Sequence, residues 1–488
     1  MKILLLNPPY LTFTSILGVG HQVPLGLLAV GGALIDAGHT VELLDAECRR
    51  MSLKAIADEV RRFRPELVMT GHAGSTPAHP VCLRTLRTIK EACPDAVTVY
   101  GGVYPTYHAA RILAGEPAVD FIVRGEGEAT AQELVGALQR SGETFRHVRG
   151  IAYRAGGKVV LTPERPPIPE LDAWRVGWEL IDDWDRYHCF GLGRAAVVQF
   201  SRGCPHRCTY CGQHGFWVRW RHRSAARFAD EVEWLHRTHG VNFFTLADEN
   251  PTTSQDVWRD LLEELAARRL PVYFFATIRA TDIVRDADFL PLYHRAGMLY
   301  VLMGIDSTSD RVLRQVRKGS TTGHDIRACQ LLQRHGIFSI LGHIVGLGEE
   351  TAAAFRTAQR RLQRYGGDYL NAMYATPHRW TPFGQESEGR AVVQPDLRKW
   401  DYRHQVLAER HLKPWQLFLR VKWLELCFHL RPGRLWAVLR DRDRFRRRQR
   451  LWGLWHTGLV WLAELAEFLL AALRPSRNPS RPPSGGTP

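Results

Sequence analysis

Cys204, Cys208 and Cys211 place three thiols within eight residues, at C-x3-C-x2-C spacing. They come after an apolar run, Ala195 to Phe200, that reads as a buried strand and ends in Ser201-Arg202-Gly203. Three thiolates on a loop leaving a strand can hold three corners of a cubic iron–sulfur cluster and leave the fourth iron open to a ligand. Ferredoxin clusters take four cysteines, so the missing fourth points to a cluster that engages a substrate. The competing chemistry is zinc, with His214 completing a closed Cys3His site. Beyond the loop the chain runs on as a series of strand–helix units and not as a compact finger.

From Ala195 to about Gln385 six strand-like runs alternate with helical patterns: Ala195–Phe200, Asn242–Ala247, Val272–Thr277, Tyr300–Gly304, Phe338–His343 and Tyr369–Tyr374. Six such units with right-handed crossovers predict a partial (β/α)6 barrel of the TIM type, which puts its chemistry at the carboxyl ends of the strands. Polar residues recur at that rim: Asp248-Glu249-Asn250, Arg279 and Asp282, Asp306-Ser307, and Gly346 to Glu350. Tyr374 to Phe383, with Arg379 among aromatics and prolines, is a candidate wall of a substrate pocket, Arg379 being available to an acidic substituent.

Residues 1–140 alternate strand and helix five times, which predicts a Rossmann-like parallel sheet with helices on both faces. Small residues cluster after its strands, where such sheets bind ligands: Gly71 and Ser75 after the third, Gly101 and Gly102 after the fourth, Gly125 after the fifth. No G-x-G-x-x-G comes after the first strand, which argues against a dinucleotide. Residues 141–190 read as a linker containing a hairpin, Ile151–Arg154 and Lys158–Leu161 around Ala155-Gly156-Gly157. The domains expected are therefore 1–140, the linker 141–190, the barrel 191–390, a helical region 391–473 and a disordered tail 474–488.

The cysteine loop resembles the signature of the radical S-adenosylmethionine (SAM) enzymes. The resemblance implies a [4Fe-4S] cluster on Cys204, Cys208 and Cys211 whose open iron chelates SAM. Tyr210 matches the aromatic position beside adenine. Asp248 and Glu249 match the position that receives the SAM amino group. Asp306 and Ser307 sit where the SAM ribose is held, and Gly342, Ile344 and Gly346 fit a G-x-I-x-G pattern that lies along adenine.

The first domain resembles the cobalamin-binding domain of one subclass of that family, most closely at Gly101-Gly102 and at Arg124-Gly125-Glu126-Gly127-Glu128. The Asp-x-His-x-x-Gly motif that supplies a lower cobalt ligand elsewhere is absent: Asp45-Ala46-Glu47 has Glu at the His position, and His72 is the substitute to consider. Within the subclass, residues 1–390, and 195–385 most of all, resemble the anaerobic Mg-protoporphyrin IX monomethyl ester oxidative cyclases. This implies a cobalamin- and [4Fe-4S]-dependent oxidoreductase of (bacterio)chlorophyll synthesis acting on an unactivated carbon of a porphyrin or other hydrophobic small molecule. Ferredoxin or flavodoxin would be the electron donor. The alternative within the family is a C-methyltransferase acting on a lipid, tetrapyrrole or natural product.

Composition bounds the rest. The chain of 488 residues exceeds what one core supports, and its nine cysteines, scattered apart from the cluster loop, fit a reducing cytoplasm. The amino-terminal apolar run is too short for a signal peptide. Net charge is +15, yet Arg431 to Arg450 alone holds nine Arg against two Asp. So local a patch does not predict nucleic-acid binding. Gly453 to Leu473 is mostly apolar but interrupted by Glu464 and Glu467, which reads as an amphipathic helix able to meet a membrane peripherally or to pack on the barrel.

Overall fold

A computed structural model of the protein describes residues 1–11, 20–140, 144–213 and 215–473. The expectations for His214 and for the tail 474–488 lie outside these residues.

The first sheet is built on β1 (Lys2–Asn7). Leu4 and Leu6 point into one apolar layer, and Ile3 and Leu5 into the opposite one. Burial on both faces is what a parallel strand covered by helices requires. β2 (Thr40–Asp45) and β3 (Leu67–Thr70) flank it in parallel, with β4 (Val97–Gly101) and β5 (Phe121–Val123) beyond β3. The expected hairpin, β6 (Ile151–Ala155) and β7 (Lys158–Leu161), is hydrogen-bonded antiparallel to β5, giving the order β2-β1-β3-β4-β5-β6-β7. This corrects its placement in a linker: the hairpin belongs to the first sheet, whose β5 is three residues long and would otherwise be an open edge.

The chain then passes across the helix Leu25–Asp36. Gly177 N–H donates to the Leu28 carbonyl at 2.9 Å, and a Cβ on Gly32 would collide with the Arg175 carbonyl oxygen, so only glycine allows this crossing. Trp178, Ile181, Trp184 and Tyr187 then enter the core of the second domain.

That domain holds β8 (Ala195–Val198), a short ribbon of β9 (Ser201–Arg202) and β10 (Arg221–His222), and then β11 (Phe243–Leu246), β12 (Tyr273–Thr277), β13 (Met298–Asp306), β14 (Phe338–Val345) and β15 (Tyr369–Tyr374). β8 and β11 to β15 pair in parallel with sequential neighbours, as a partial (β/α)6 barrel does. The crossover helices start where the sequence supplies a hydroxyl cap: Ser224, Ser254, Thr321 and Thr351 accept the N–H groups of Arg227, Val257, His324 and Ala354.

Three helices complete the described chain, Pro414–His429, Pro432–Arg440 and Arg444–Leu473. The last begins under the barrel, where Phe445 joins an aromatic layer of Phe243, Tyr300, Phe338 and Tyr369. Gln449 accepts from the hydroxyls of Tyr300 and Tyr369 at 3.0 and 3.2 Å. The amino ends of the strands are thus plugged, and the carboxyl ends face the first domain.

Ion pairs join the two sheets. Arg202 meets Glu128 at 2.6 Å, and Arg221 meets Glu126 at 2.6 Å, all four side chains nearly dry. Removing one partner of such a set leaves an uncompensated buried charge. Arg202→Leu is expected to destabilise the protein by about 3–5 kcal/mol, read as a lower urea midpoint of the first unfolding transition.

Candidate functional site

The cysteine loop is fixed at its root by Asp248. At the end of β11 its carboxylate accepts from Phe200 N–H at 3.1 Å, from Ser201 N–H at 2.5 Å and from the Ser201 hydroxyl at 2.5 Å. Burial pushes its carboxyl up to about 6, against the pull of those donors. Glu249, expected beside it, accepts from Gly203 N–H at 3.1 Å through one oxygen, and burial raises it to about 7. Of the two acids expected to receive an amino group, Asp248 is committed to holding the loop, while Glu249 spends one oxygen on Gly203 and its charge is felt at Cys204.

Cys208 is buried, and Cys204 and Cys211 are partly so. Cys211 is raised to about 11, first by burial and then by the other two thiols. Burial also raises Cys204, while Arg279 pulls it down. Iron binding would displace these protons. Among the described residues no three His, Cys, Asp or Glu side chains converge on one ion position, and His214, the fourth donor of the zinc alternative, lies outside those residues. A cubane spreads its cysteines over separate irons, and the donor set fits it.

At the next strand ends, the Tyr210 hydroxyl donates to Asp306, and Lys318 pairs with the same carboxylate at 2.6 Å. Asp306 has φ +54° at a register shift of β13, which turns its side chain toward the loop. Ser307 accepts from Ser309 N–H at 3.2 Å. Tyr210 and Ile344 pack on one apolar cluster with Val312, Leu347 and Phe383, so the two residues expected along adenine share a wall. Gly342 sits on β14 with Met373 3.3 Å from where a Cβ would be, and Gly346, at φ +100°, donates to Glu350 at 2.9 Å. Sequence reasoning missed Lys318 and Asp325. Asp325 is buried with both carboxylate oxygens lacking a hydrogen-bond partner, and burial pushes it up to about 8 against the pull of Lys318. Lys318 lies in the connection between two helices after β13 and Asp325 in the second of them, and neither carries a local motif.

On the first sheet, Gly71, Gly101, Gly102 and Gly125 line the carboxyl ends of β3, β4 and β5. A Cβ on Gly71 would lie 2.8 Å from the Gly101 carbonyl. Gly102 and Gly125 have φ of +109° and +77° and open space where a Cβ would stand. Ser75 has a buried hydroxyl with no hydrogen-bond partner. Bare backbone beside an unspent hydroxyl fits a broad corrinoid ligand. His72 is not poised as a cobalt ligand: Nε2 lies 3.0 Å from Glu47, and Nδ1 accepts from Gly74 N–H at 2.8 Å.

The two rims meet through aromatics. Trp380 stacks on Tyr107 with centroids 5.0 Å apart and donates to the Gly212 carbonyl at 2.9 Å. His378 bonds Thr76 at 3.0 Å and Tyr402 at 2.8 Å. Burial lowers His79, His108 and His378 to about 4, so these three imidazoles are neutral near neutral pH. Tyr104, Tyr107 and His108 were missed in the sequence, although their helical spacing just after Gly101-Gly102 was a usable signal.

Residues 198–362 match the Radical SAM superfamily, and residues 14–135 match the B12 binding domain. Over 488 residues the chain is 44% identical to the anaerobic magnesium-protoporphyrin IX monomethyl ester cyclase of Synechocystis sp., covering 100% of this chain and 97% of that one. It is 35% identical to the enzyme of the same name from Rubrivivax gelatinosus, over 82% and 72% of the two chains. Among solved structures it resembles the radical SAM methyltransferase TsrM of Kitasatospora setae, with a TM-score of 0.69, 18% identity, and coverage of 96% and 99%.

The site can be tested at two residues. Cys208→Ala should keep the native circular dichroism, yet after anaerobic reconstitution with iron and sulfide it should lack the broad absorbance of a [4Fe-4S] cluster. Asp325 is harder to ionise in the folded than in the unfolded chain, so its contribution to stability is present below about pH 4 and lost as pH rises through about 8. Asp325→Asn should flatten the fall in melting temperature across that window.

Proposed function

The chain belongs to the cobalamin-binding radical SAM enzymes, alongside the anaerobic Mg-protoporphyrin IX monomethyl ester cyclases, and from that premise we propose that it closes the isocyclic ring of this porphyrin. The observation carrying the reading is full-length identity of 44% to a cyclase, barrel rim and carboxy-terminal helices included. When bound, the cluster with SAM would supply a hydrogen-abstracting deoxyadenosyl radical at the cost of one electron, and cobalamin would supply a redox-active cobalt.

The chain's own residues bind and orient. Cys204, Cys208 and Cys211 hold the cluster, and Asp248 sets where their loop begins. Glu249 offers its second oxygen to the SAM amino group. Tyr210 and Lys318 orient Asp306 toward the ribose, and Ile344 with Gly342 and Gly346 leaves a flat apolar strip for adenine. Gly101, Gly102 and Gly125 let the corrin approach the backbone, and Ser75 donates to it.

The aromatic junction of Tyr104, Tyr107, His108 and Trp380 suits a flat macrocycle. Arg379 is exposed at that mouth beside Tyr104 and His108, where a free propionate of the substrate would need a cation. The electron comes from a low-potential one-electron donor of the ferredoxin or flavodoxin type.

The second reading, C-methylation, is favoured by the fold shared with a methyltransferase. Product mass separates the two. Cyclisation to the ketone adds one oxygen from water and removes four hydrogens, the electrons being taken up by successive SAM molecules, each reduced to methionine and 5′-deoxyadenosine, while methylation adds CH2. Under strict anoxia, with SAM, cobalamin, reductant and Mg-protoporphyrin IX monomethyl ester, the cyclised mass is expected, heavier when the water carries oxygen-18. A methylated product, or unchanged porphyrin beside vigorous SAM cleavage, would overturn the cyclase reading. Arg379→Ala should raise KM for the porphyrin with little change in kcat.

A further inference from the structure

An amphipathic helix on a globular protein turns its apolar face in and its charges out. From Leu451 onward the helix Arg444–Leu473 does the reverse. Glu464 pairs with Arg403 and Lys422, and Glu467 with Lys399 at 2.7 Å and His404 at 3.2 Å, all on the protein side. Leu451, Trp455, Leu462 and Leu469 stand on the outer side, each more than half exposed. Their spacing of four, seven and seven residues keeps them on one stripe. The helix is long and apolar enough to cross a membrane, and none of its most apolar stretch is buried.

The neighbouring helix Pro414–His429 repeats the inversion. Lys422 and Glu425 pair inward at 2.5 Å, while Trp415, Leu419 and Trp423 face out at intervals of four. The two helices lie together: Phe418 stacks on Phe468 with centroids 4.1 Å apart, and Trp461 donates to the Lys422 carbonyl at 3.1 Å. Helix Pro432–Arg440 adds Trp436 and Leu439. Twelve of the nineteen exposed large apolar side chains among the described residues fall between 415 and 470, so the exposure is one surface and not scatter.

Charge says what covers it. Arg440, Arg442, Arg444, Arg447 and Arg448 are exposed beside this surface, while Asp441 is turned inward to Arg450 at 3.2 Å and Asp443 accepts from Phe445 N–H at 2.9 Å. Residues 474–488 add three arginines and no acid to the sequence. A second copy docked by a two-fold axis would set arginine rim against arginine rim. An anionic bilayer accepts both parts, with tryptophans at the headgroup level and arginines on the phosphates.

We infer that the three carboxy-terminal helices form a docking face for an anionic lipid bilayer and lie in the plane of its surface. A spanning pose is excluded by the inner side of the long helix, which is committed to the barrel domain: a Cβ on Gly453 would collide with the Tyr369 hydroxyl, and Glu464 and Glu467 are paired there.

The test is co-sedimentation of the full chain with sucrose-loaded vesicles of phosphatidylcholine, alone or with phosphatidylglycerol at about one part in three. Binding is expected to the mixed vesicles, far less to phosphatidylcholine, and to weaken as salt is raised. Arg447→Glu with Arg448→Glu should remove the preference for phosphatidylglycerol, by about fivefold or more per site. Trp423→Asp with Trp455→Asp should abolish binding while the melting temperature and reconstituted cluster stay as in the parent, since both side chains are exposed. Wild-type protein left in the supernatant, equal binding by the tryptophan variant, or a dimer through this face that mixed vesicles fail to dissociate would each overturn the inference.

Discussion

A single dry carboxylate decides where the chemistry can happen. Asp248 ends β11 and receives three hydrogen bonds from Phe200 and Ser201, the residues at which the chain leaves β8. Hydrogen bonds to a charged group contribute about 1.5–3 kcal/mol each, and a buried acceptor left without them costs comparably. The cysteine loop therefore starts from a fixed point, and Glu249 fixes Gly203 one residue before Cys204. A loop carrying three cysteines meant to share one cluster can be long and irregular only if its origin is this rigid.

From that origin the two rims are brought face to face. Arg202, next in sequence to Ser201, reaches Glu128 of the first domain, so the residues that seat the loop also seat the neighbouring sheet. Trp380 and His378 tie the end of the barrel to the loop at Gly212 and to Thr76. The glycine-edged strand ends of one sheet and the acidic strand ends of the other thus look at each other across an aromatic junction. Two cofactors and the proposed flat substrate would use that arrangement, since each must approach a bare surface from a different side.

The opposite end of the barrel is built for stability. Aromatic residues at the amino ends of the strands are capped by Phe445 and Gln449, and the helix that supplies them continues along the domain with its acids turned in. The ion pairs lie inside and the tryptophans outside, the reverse of an ordinary surface helix.

The sequence by itself determined the chemistry and the class of scaffold. C-x3-C-x2-C is a local spacing, the alternation of strands and helices is a local period, and the glycines after β3, β4 and β5 fall where short-range geometry needs them. Such signals survive without knowledge of distant partners. Only the tertiary structure decided what each polar residue is for. Asp248 was legible as an acid at a strand end, but its partners lie nearly fifty residues earlier. Tyr210 was legible as an aromatic beside the cluster, but its hydroxyl meets Asp306, 96 residues on. The hairpin read as a linker became the edge of the first sheet, and Glu464 and Glu467, read as interruptions, became the inner face of a helix. Hydrogen bonds and ion pairs across long separations depend on how the elements stack, and residue spacing along the chain carries no record of that.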